Sequence, residues 1–468
     1  MSKGQCHPSE SRQFADPQTG APVRQVTSQE SIHHHPFYYL PAYDDAMRRL
    51  YFISHRTGSP QIFAEIRETG ELRQLTDRPD LNEWSVHPSH DGRFVYFTVG
   101  SGAWRVETES LEEEEMADFG GGEIREQGMV GAAMGTTTLS RDDRWWAVPV
   151  KSGETARLVV IDTESGRSEV ILKRDTIGHP QFHPDDPNLL RYAGPYHSRL
   201  WVIGRDGSEN RLVYGRDAGK KEWIVHETWR PGSNELITTN WPHGMIGINV
   251  RSGAVRPVCR FNAWHPMINR SGDLVVADTK TPDCGLQLFD PLDGEGIPRP
   301  LCLTESSNAG DHWNTDHCPY DDGPVDVFAP QHTHPHPNFS PDGGGGWSSP
   351  RTAAGWRRST RRKFCSGRWR WFPTCERSSH NPWRELSAGW TSRRTGRSAG
   401  LLQVGNLHHV CSYGVQNSSA RRSLMNPWAG AWVIMRSIVA DSAAAWGVTP
   451  QAQKTGTKSG GRSPTGSP

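Results

Sequence analysis

Gln331-His332-Thr333-His334-Pro335-His336-Pro337-Asn338-Phe339-Ser340-Pro341-Asp342-Gly343 is the stretch that decides how this chain is read. An aromatic residue followed by Ser340-Pro341-Asp342-Gly343 is the turn between the two innermost strands of a propeller blade. Just upstream, His334 and His336 lie two apart, so on an extended strand both imidazoles point to one side. With the amide oxygen of Gln331 beside them, they predict a metal site built on a strand. The plain alternative is a polar, His-rich loop that binds nothing. A lone histidine would favour that alternative, whereas a cluster in this position favours the metal.

Working outward, the same turn recurs with a period of roughly 40 to 50 residues, the spacing of propeller blades. The first unit runs from His35-Pro36-Phe37-Tyr38 through Asp44-Asp45 to Arg49-Leu50-Tyr51-Phe52-Ile53-Ser54, then Gln61-Ile62-Phe63 and Glu71 to Thr76. The second carries Ser89-His90-Asp91-Gly92 before Phe94-Val95-Tyr96-Phe97. The third carries Ser140-Arg141-Asp142-Asp143 before Trp145 to Val148, and then Arg157 to Asp162. Later units begin at Gly178-His179-Pro180, Val225-His226-Glu227-Thr228-Trp229, Trp264-His265-Pro266-Met267 and Thr333. Short alternating strands between Asp-Gly turns predict an all-β, seven-bladed β-propeller. Its blades bury their faces only against each other. A long segment from about Glu305 to Pro330, rich in Asp, Gly and His, is expected to be a functional loop. The charge run Glu112 to Glu115 reads as a solvated outer loop.

The formal net charge of zero conceals two unlike regions. Residues 1–342 carry 33 Lys+Arg against 49 Asp+Glu, whereas residues 343–468 carry 19 against 3. Nine of the 19 tryptophans lie in that tail. It shows no period, heptad or strand alternation, and its one apolar stretch, Ala429 to Ala440, is too short for a membrane span. A nucleic-acid or membrane surface is therefore not the reading we favour. A reading-frame shift near Gly343 explains more. Trp347-Ser348-Ser349-Pro350-Arg351-Thr352 can be encoded so that the frame one base earlier spells Val-Val-Phe-Thr-Ser-Asp, a strand much like Leu50 to Ser54. We expect a propeller domain over residues 20–343, an incomplete last blade, and a non-homologous, out-of-frame or disordered tail over 344–468. No secretory leader is visible at the N-terminus. The cysteines lack paired metal spacing, which suits a reduced, cytoplasmic protein.

His35, His179, His226, His265, His334 and His336 all fall where a blade begins, at the mouth of the central channel, and several precede proline. For His35 this could be only a strand-start signature. For His265 with His334 and His336, convergence on a metal is expected. Three imidazoles and one amide oxygen suit Mn, Fe, Zn or Ni. Open positions would make the site catalytic rather than closed, and such a site leans toward an octahedral ion such as Mn²⁺.

These motifs resemble the oligogalacturonate lyases, seven-bladed propellers that act on pectin fragments. The resemblance covers about residues 20–343 and is most specific at Gln331 to Pro337, Trp264 to Met267, Gly178 to Pro180 and Val225 to Trp229; the Arg24-Gln25-Val26-Thr27 opening is also similar. It implies Mn²⁺, or another divalent cation, on His265, Gln331, His334 and His336. It also implies His226 as the base and Arg199 as a catalytic substrate contact, with His179 beside it in substrate binding. The expected partner is an oligogalacturonide such as digalacturonate or trigalacturonate, with no nucleic acid and no membrane. The donor to the leaving oxygen stays open among His179, His197 and a metal-bound water. The rival readings are a non-catalytic, TolB-like binding propeller and an inactivated lyase relative.

A chain ending after Gly343 is expected to be at least as soluble as the full chain. Lower solubility on expression of the shortened chain would mean that the tail belongs to the fold.

Overall fold

The predicted turns are built from their own side chains. Ser89 Oγ donates to Asp91 Oδ1 at 2.6 Å and accepts from the Phe94 amide at 2.9 Å. Ser140 repeats this with Asp142 and the Trp145 amide, Ser271 reaches Asp273, and Ser340 reaches Asp342. Gly92 closes its turn at φ 74°, and a Cβ there would meet Asp44 Oδ2 at 2.5 Å, so only glycine fits.

A computed structural model describes residues 2–120, 135–153, 155–279, 283–304 and 335–342, with backbone strands at Gly346–Ser349, Arg351–Thr352, Trp432–Val433 and Ile438–Val439. The described residues fall in one compact unit, and Arg357–Met425 lies outside them.

Antiparallel sheets of four strands follow one another along the chain. Blade 1 is Ile32–His34, Arg49–Ser54, Gln61–Ile66 and Leu72–Gln74, flanked by Arg351–Thr352 within and Cys6–His7 outside. Blade 2 runs His87–Pro88, Phe94–Val99, Gly102–Glu107, Glu113–Asp118, and blade 3 runs Thr138–Leu139, Trp145–Ser152, Thr155–Asp162, Ser168–Arg174. Blades 4, 5 and 6 start at Gly178–His183, Trp223–Arg230 and Ala263–Ile268 and end at Arg211–Tyr214, Val255–Cys259 and Arg299–Cys302.

Strand alternation sends one set of apolar side chains to each neighbouring sheet. Tyr51, Ile53 and Ile62 of blade 1 pack on Val95, Phe97 and Val106 of blade 2, and Tyr96 of blade 2 packs on Trp146 and Val148 of blade 3. The ring closes through a cluster that joins Val276 and Leu286 of blade 6, Val23 and Val26 near the N-terminus, Phe339, and Phe52 and Phe63 of blade 1.

Six complete four-stranded blades are thus present among the described residues, rather than the expected seven. The position between blades 6 and 1 holds a composite sheet. Arg12–Ala15 and Pro22–Gln25 come from the start of the chain, and Asn338–Phe339 pairs with Gly346–Ser349, with Phe339 opposite Trp347. The strand required after the Ser340 turn is therefore present. The sheets also begin before residue 20, since Cys6–His7 and Arg12–Ala15 are already paired. A second difference concerns Glu112 to Glu115, read as a loop. Glu113–Asp118 is the outermost strand of blade 2, where edge exposure tolerates charge, and Glu113 meets Lys3 at 2.8 Å and Arg78 at 2.6 Å. No described helix is long and apolar enough to cross a membrane.

The channel is filled by the segment between the two inner strands of blade 1. Phe37, Tyr38, Tyr39 and Leu40 are all buried there with Trp84. Tyr38 Oη donates to the Glu227 carbonyl at 3.0 Å, Tyr39 Oη to Thr136 Oγ1 at 2.9 Å, and Asn338 Nδ2 to the Leu40 carbonyl at 2.5 Å. One short segment therefore fixes the spacing of blades 3 and 5 and the composite sheet.

The N-terminal strand is locked to blade 1 by the buried pair of Arg24 and Glu65, where Nη1 reaches Oε2 at 3.0 Å and Nη2 reaches Oε1. Removing one member of a buried pair strands the other. Arg24→Ala is expected to cost about 3 kcal/mol by urea denaturation. Arg93→Ala, at an exposed pair with Glu107, should leave the denaturation midpoint essentially unchanged.

Candidate active site at the channel mouth

The inner strands of blades 4, 5 and 6 each contain the same irregularity. In blade 4, Gly178 pairs with Ala193 but Gln181 with Arg191, so His179 and Pro180 stand opposite Tyr192 alone. In blade 5, His226 and Glu227 oppose Thr238, and in blade 6, Trp264 and His265 oppose Asp278. Such bulges re-aim side chains out of the ladder. His179 and His226 accordingly adopt left-handed backbone, at φ 46° and 56°. The predicted shared position of the histidines is therefore offset by one residue: His179 and His226 occupy the first bulge place, His265 the second.

Glu227 is fully buried between two guanidinium groups. Arg199 Nε donates to Oε1, and Arg191 Nη1 donates to Oε2 at 3.2 Å. Arg191 also holds the carbonyls of His179 at 2.7 Å and Glu227 at 2.5 Å. Burial alone would raise the Glu227 carboxyl, but Arg199 and Arg191 reverse this and hold it at about 2. Among the described residues, two guanidinium groups meet this one carboxylate. Arg199 Nη2 lies 3.4 Å from His179 Nδ1. A guanidinium can only donate, so His179 accepts there and carries its proton on Nε2. That Nε2 has no hydrogen-bond partner among the described residues. Burial, then Arg199, holds His179 well below the usual imidazole range. Burial, then His265 and Arg199, does the same for His226, which is therefore neutral.

His265 meets His226 at 4.1 Å and His336 at 4.2 Å between ring centroids. Asp278 accepts from the His265 amide at 2.7 Å and from Nδ1 at 2.8 Å, which leaves Nε2 with the lone pair. A carboxylate holding one imidazole nitrogen is the usual support for a metal-bound histidine, so this donor set suits a divalent cation. His336 departs from the expected extended strand. It takes φ 45° and precedes the strand Asn338–Phe339, because its carbonyl is held by His35 Nε2 at 2.6 Å. Gln331 and His334 lie outside the described residues.

The structure brings His179, Arg199, His226, His265 and His336 together from blades 4, 5 and 6 and the start of the composite sheet. Sequence reasoning missed Asp278, Arg191 and the role of Glu227. A glutamate between Val225 and Trp229 in an inner strand carried a signal, because a buried carboxylate demands cationic partners. Asp278 carried none. Also missed was a separate cluster of His34, His55 and Glu83, whose ligand atoms lie within 4.8 Å of one another.

A family model described as oligogalacturonate lyase matches residues 1–345. The oligogalacturonate lyase of Dickeya dadantii is 25% identical over 373 residues, 73% of this chain and 93% of the relative. The oligogalacturonide lyase of Pectobacterium atrosepticum is 23% identical over 378 residues, with the same coverage. Among solved structures, an oligogalacturonate lyase in complex with manganese superposes with a TM-score of 0.63 at 22% identity, covering 76% of this chain and 96% of that one. The oligogalacturonate lyase of Vibrio parahaemolyticus gives 0.60 at 22%, covering 74% and 94%. These two likenesses support the propeller fold.

Glu227→Gln is expected to cost about 3–5 kcal/mol at neutral pH, because two buried guanidinium groups lose their anion. The folded carboxyl sits near 2 against an ordinary 4.5, so its stabilisation is present above pH 4.5 and is lost as pH falls toward 2. Denaturation midpoints between those limits should fall more steeply for the parent chain than for Glu227→Gln.

Proposed function

We propose that this chain, which belongs to the oligogalacturonate lyase family, cleaves short oligogalacturonides such as digalacturonate and trigalacturonate by β-elimination at the channel mouth. The observation that carries this reading is the meeting of His226, His265 and His336 beside Arg199. A base, imidazole ligands and a cation for a carboxylate lie within one buried cluster, an arrangement that a purely binding propeller does not need.

His265, Gln331, His334 and His336 would hold the divalent cation, Mn²⁺ in our reading. When bound, the ion acts as a Lewis acid toward the uronide carboxylate. His226 takes the C5 proton. It is neutral and thus able to accept one, and its Nδ1 has no hydrogen-bond partner among the described residues. As the C5–H bond breaks, its electrons form the C4–C5 double bond, the C4–O4 bond breaks, and O4 leaves with a proton. Arg199 and His179 orient the sugar. Glu227 sets the Arg199 guanidinium in place, and the His179 Nε2–H can donate to a substrate oxygen. Arg191 and Arg199 place local positive charge at the site, which can act on an anionic substrate despite the acidity of residues 1–342.

We read the composite sheet as a seventh blade, closed by the N-terminal strands. The family match over residues 1–345 supports a catalytic domain within that span, with Gly346–Ser349, Trp432–Val433 and Ile438–Val439 adding strands to the composite sheet. Cys6 and Cys259 are free thiols, which supports a reducing, cytoplasmic setting.

The test follows ultraviolet absorbance of the unsaturated uronide and product mass, with and without Mn²⁺. His226→Ala should lower kcat by about 10²- to 10⁴-fold with bound metal unchanged. His336→Ala should reduce metal content, and Asp278→Ala should weaken metal affinity by about 10- to 100-fold. Bound metal without turnover on either substrate would overturn the lyase reading in favour of another uronide or a sensor.

A further inference from the structure

His34, His55 and Glu83 form a second set of potential ligands that shares no residue with the channel set and is separated from His336 by Trp84. His34 ends the innermost strand of blade 1. His55 follows the second strand, where its amide donates to the Ile32 carbonyl at 3.0 Å. Glu83 lies in the turn that leads into blade 2, held by the Trp84 amide on Asn82 Oδ1 at 3.2 Å. The cluster therefore joins two blades.

Its three side chains converge on one carboxylate oxygen, an arrangement that a cation can bridge. His34 Nδ1 lies 2.9 Å from the His35 carbonyl. A carbonyl only accepts, so Nδ1 carries the proton and a neutral ring has its lone pair on Nε2. That nitrogen faces Glu83 Oε2 at 3.1 Å, and His55 Nε2 faces the same oxygen at 2.6 Å. A neutral His34 and the Glu83 carboxylate oxygen thus face each other as two acceptors unless a proton or a metal cation stands between them. A second proton on His34 would serve that contact alone, whereas a metal ion would serve all three groups.

The spacing fits an ion. Donors bound at about 2.1 Å and adjacent in the coordination shell lie about 3.0–3.4 Å apart. The separation of His34 and Glu83 meets this, His55 stands 2.6 Å from the same oxygen, and the three ligand atoms lie within 4.8 Å of one another. His34 is fixed by stacking on Trp84 at 4.6 Å and 26°, while the side chain of His55 is 22% exposed and opens the site to solvent.

We propose that His34 Nε2, His55 Nε2 and Glu83 bind a second divalent transition-metal ion, of the Zn²⁺ type, that staples blade 1 to blade 2 and keeps positions open to solvent. Two imidazoles and one carboxylate suit zinc, iron or manganese. The site does not depend on the lyase reading.

The test uses the full chain, stripped by chelator and reloaded with Zn²⁺ alone, with metal counted by mass spectrometry and affinity measured by competition with a chromogenic chelator. A His265→Ala/His336→Ala chain should retain a bound ion. Adding Glu83→Gln or His55→Ala should weaken that ion by about tenfold or more. Absence of the ion from the His265→Ala/His336→Ala chain, or an unchanged affinity after His55→Ala, overturns the proposal. Because those channel variants could perturb folding, His55→Ala is also made alone. It should lower the parent metal count with an unchanged far-ultraviolet circular dichroism spectrum, and an undiminished count in that folded variant would also overturn the site.

Discussion

A β-bulge leaves peptide groups that the ladder cannot pair, and the centre of this propeller is organised around satisfying them. The Val225 carbonyl receives Thr238 Oγ1 at 2.8 Å, the His179 and Glu227 carbonyls receive Arg191, and the His265 amide is taken by Asp278. Those groups are also the ones that orient the site. Arg191 brings a cation to Glu227, Glu227 fixes Arg199, and Asp278 sets the tautomer of His265. The same irregularity that bends three inner strands therefore builds the supporting layer of the site.

The aromatic segment Phe37 to Leu40 makes this arrangement compact. It excludes water from the channel floor, which is why Tyr38 lies within ring contact of His226, His265 and His336. Burial of that kind keeps His179 and His226 neutral and strengthens the Glu227 network. The channel imidazoles and structural aromatics thus depend on the same closed ring, one seam of which is made by Arg24 and Glu65.

Much of the ladder was legible. Arg49–Ser54 forms as read, and the strands anticipated at Phe94, Trp145 and Arg157 extend a few residues further than their apolar runs. Their alternation and Asp-Gly turns are local signals. The acidic strand Glu113–Asp118 was missed because an outer edge needs no apolar face, so its pattern resembles a loop. The clasp by Arg12–Ala15 and Pro22–Gln25 was only hinted at, since its partners come from the far end of the chain. His336 was expected on a strand, yet a carbonyl held by His35, distant in sequence, turned its backbone left-handed.

Residue pattern by itself determined the propeller, the recurring turns, the family and the histidines that converge on one channel, because each depends on spacing within a single unit. Tertiary structure alone decided which bulge place each histidine occupies, that Asp278 supports His265, and that Arg191 and Arg199 share Glu227. It also placed Glu83 of one blade against His34 and His55 of another. Those pairings cross between strands or blades. Their energies come from desolvated charges brought within hydrogen-bond reach by packing, and no local sequence period encodes that proximity.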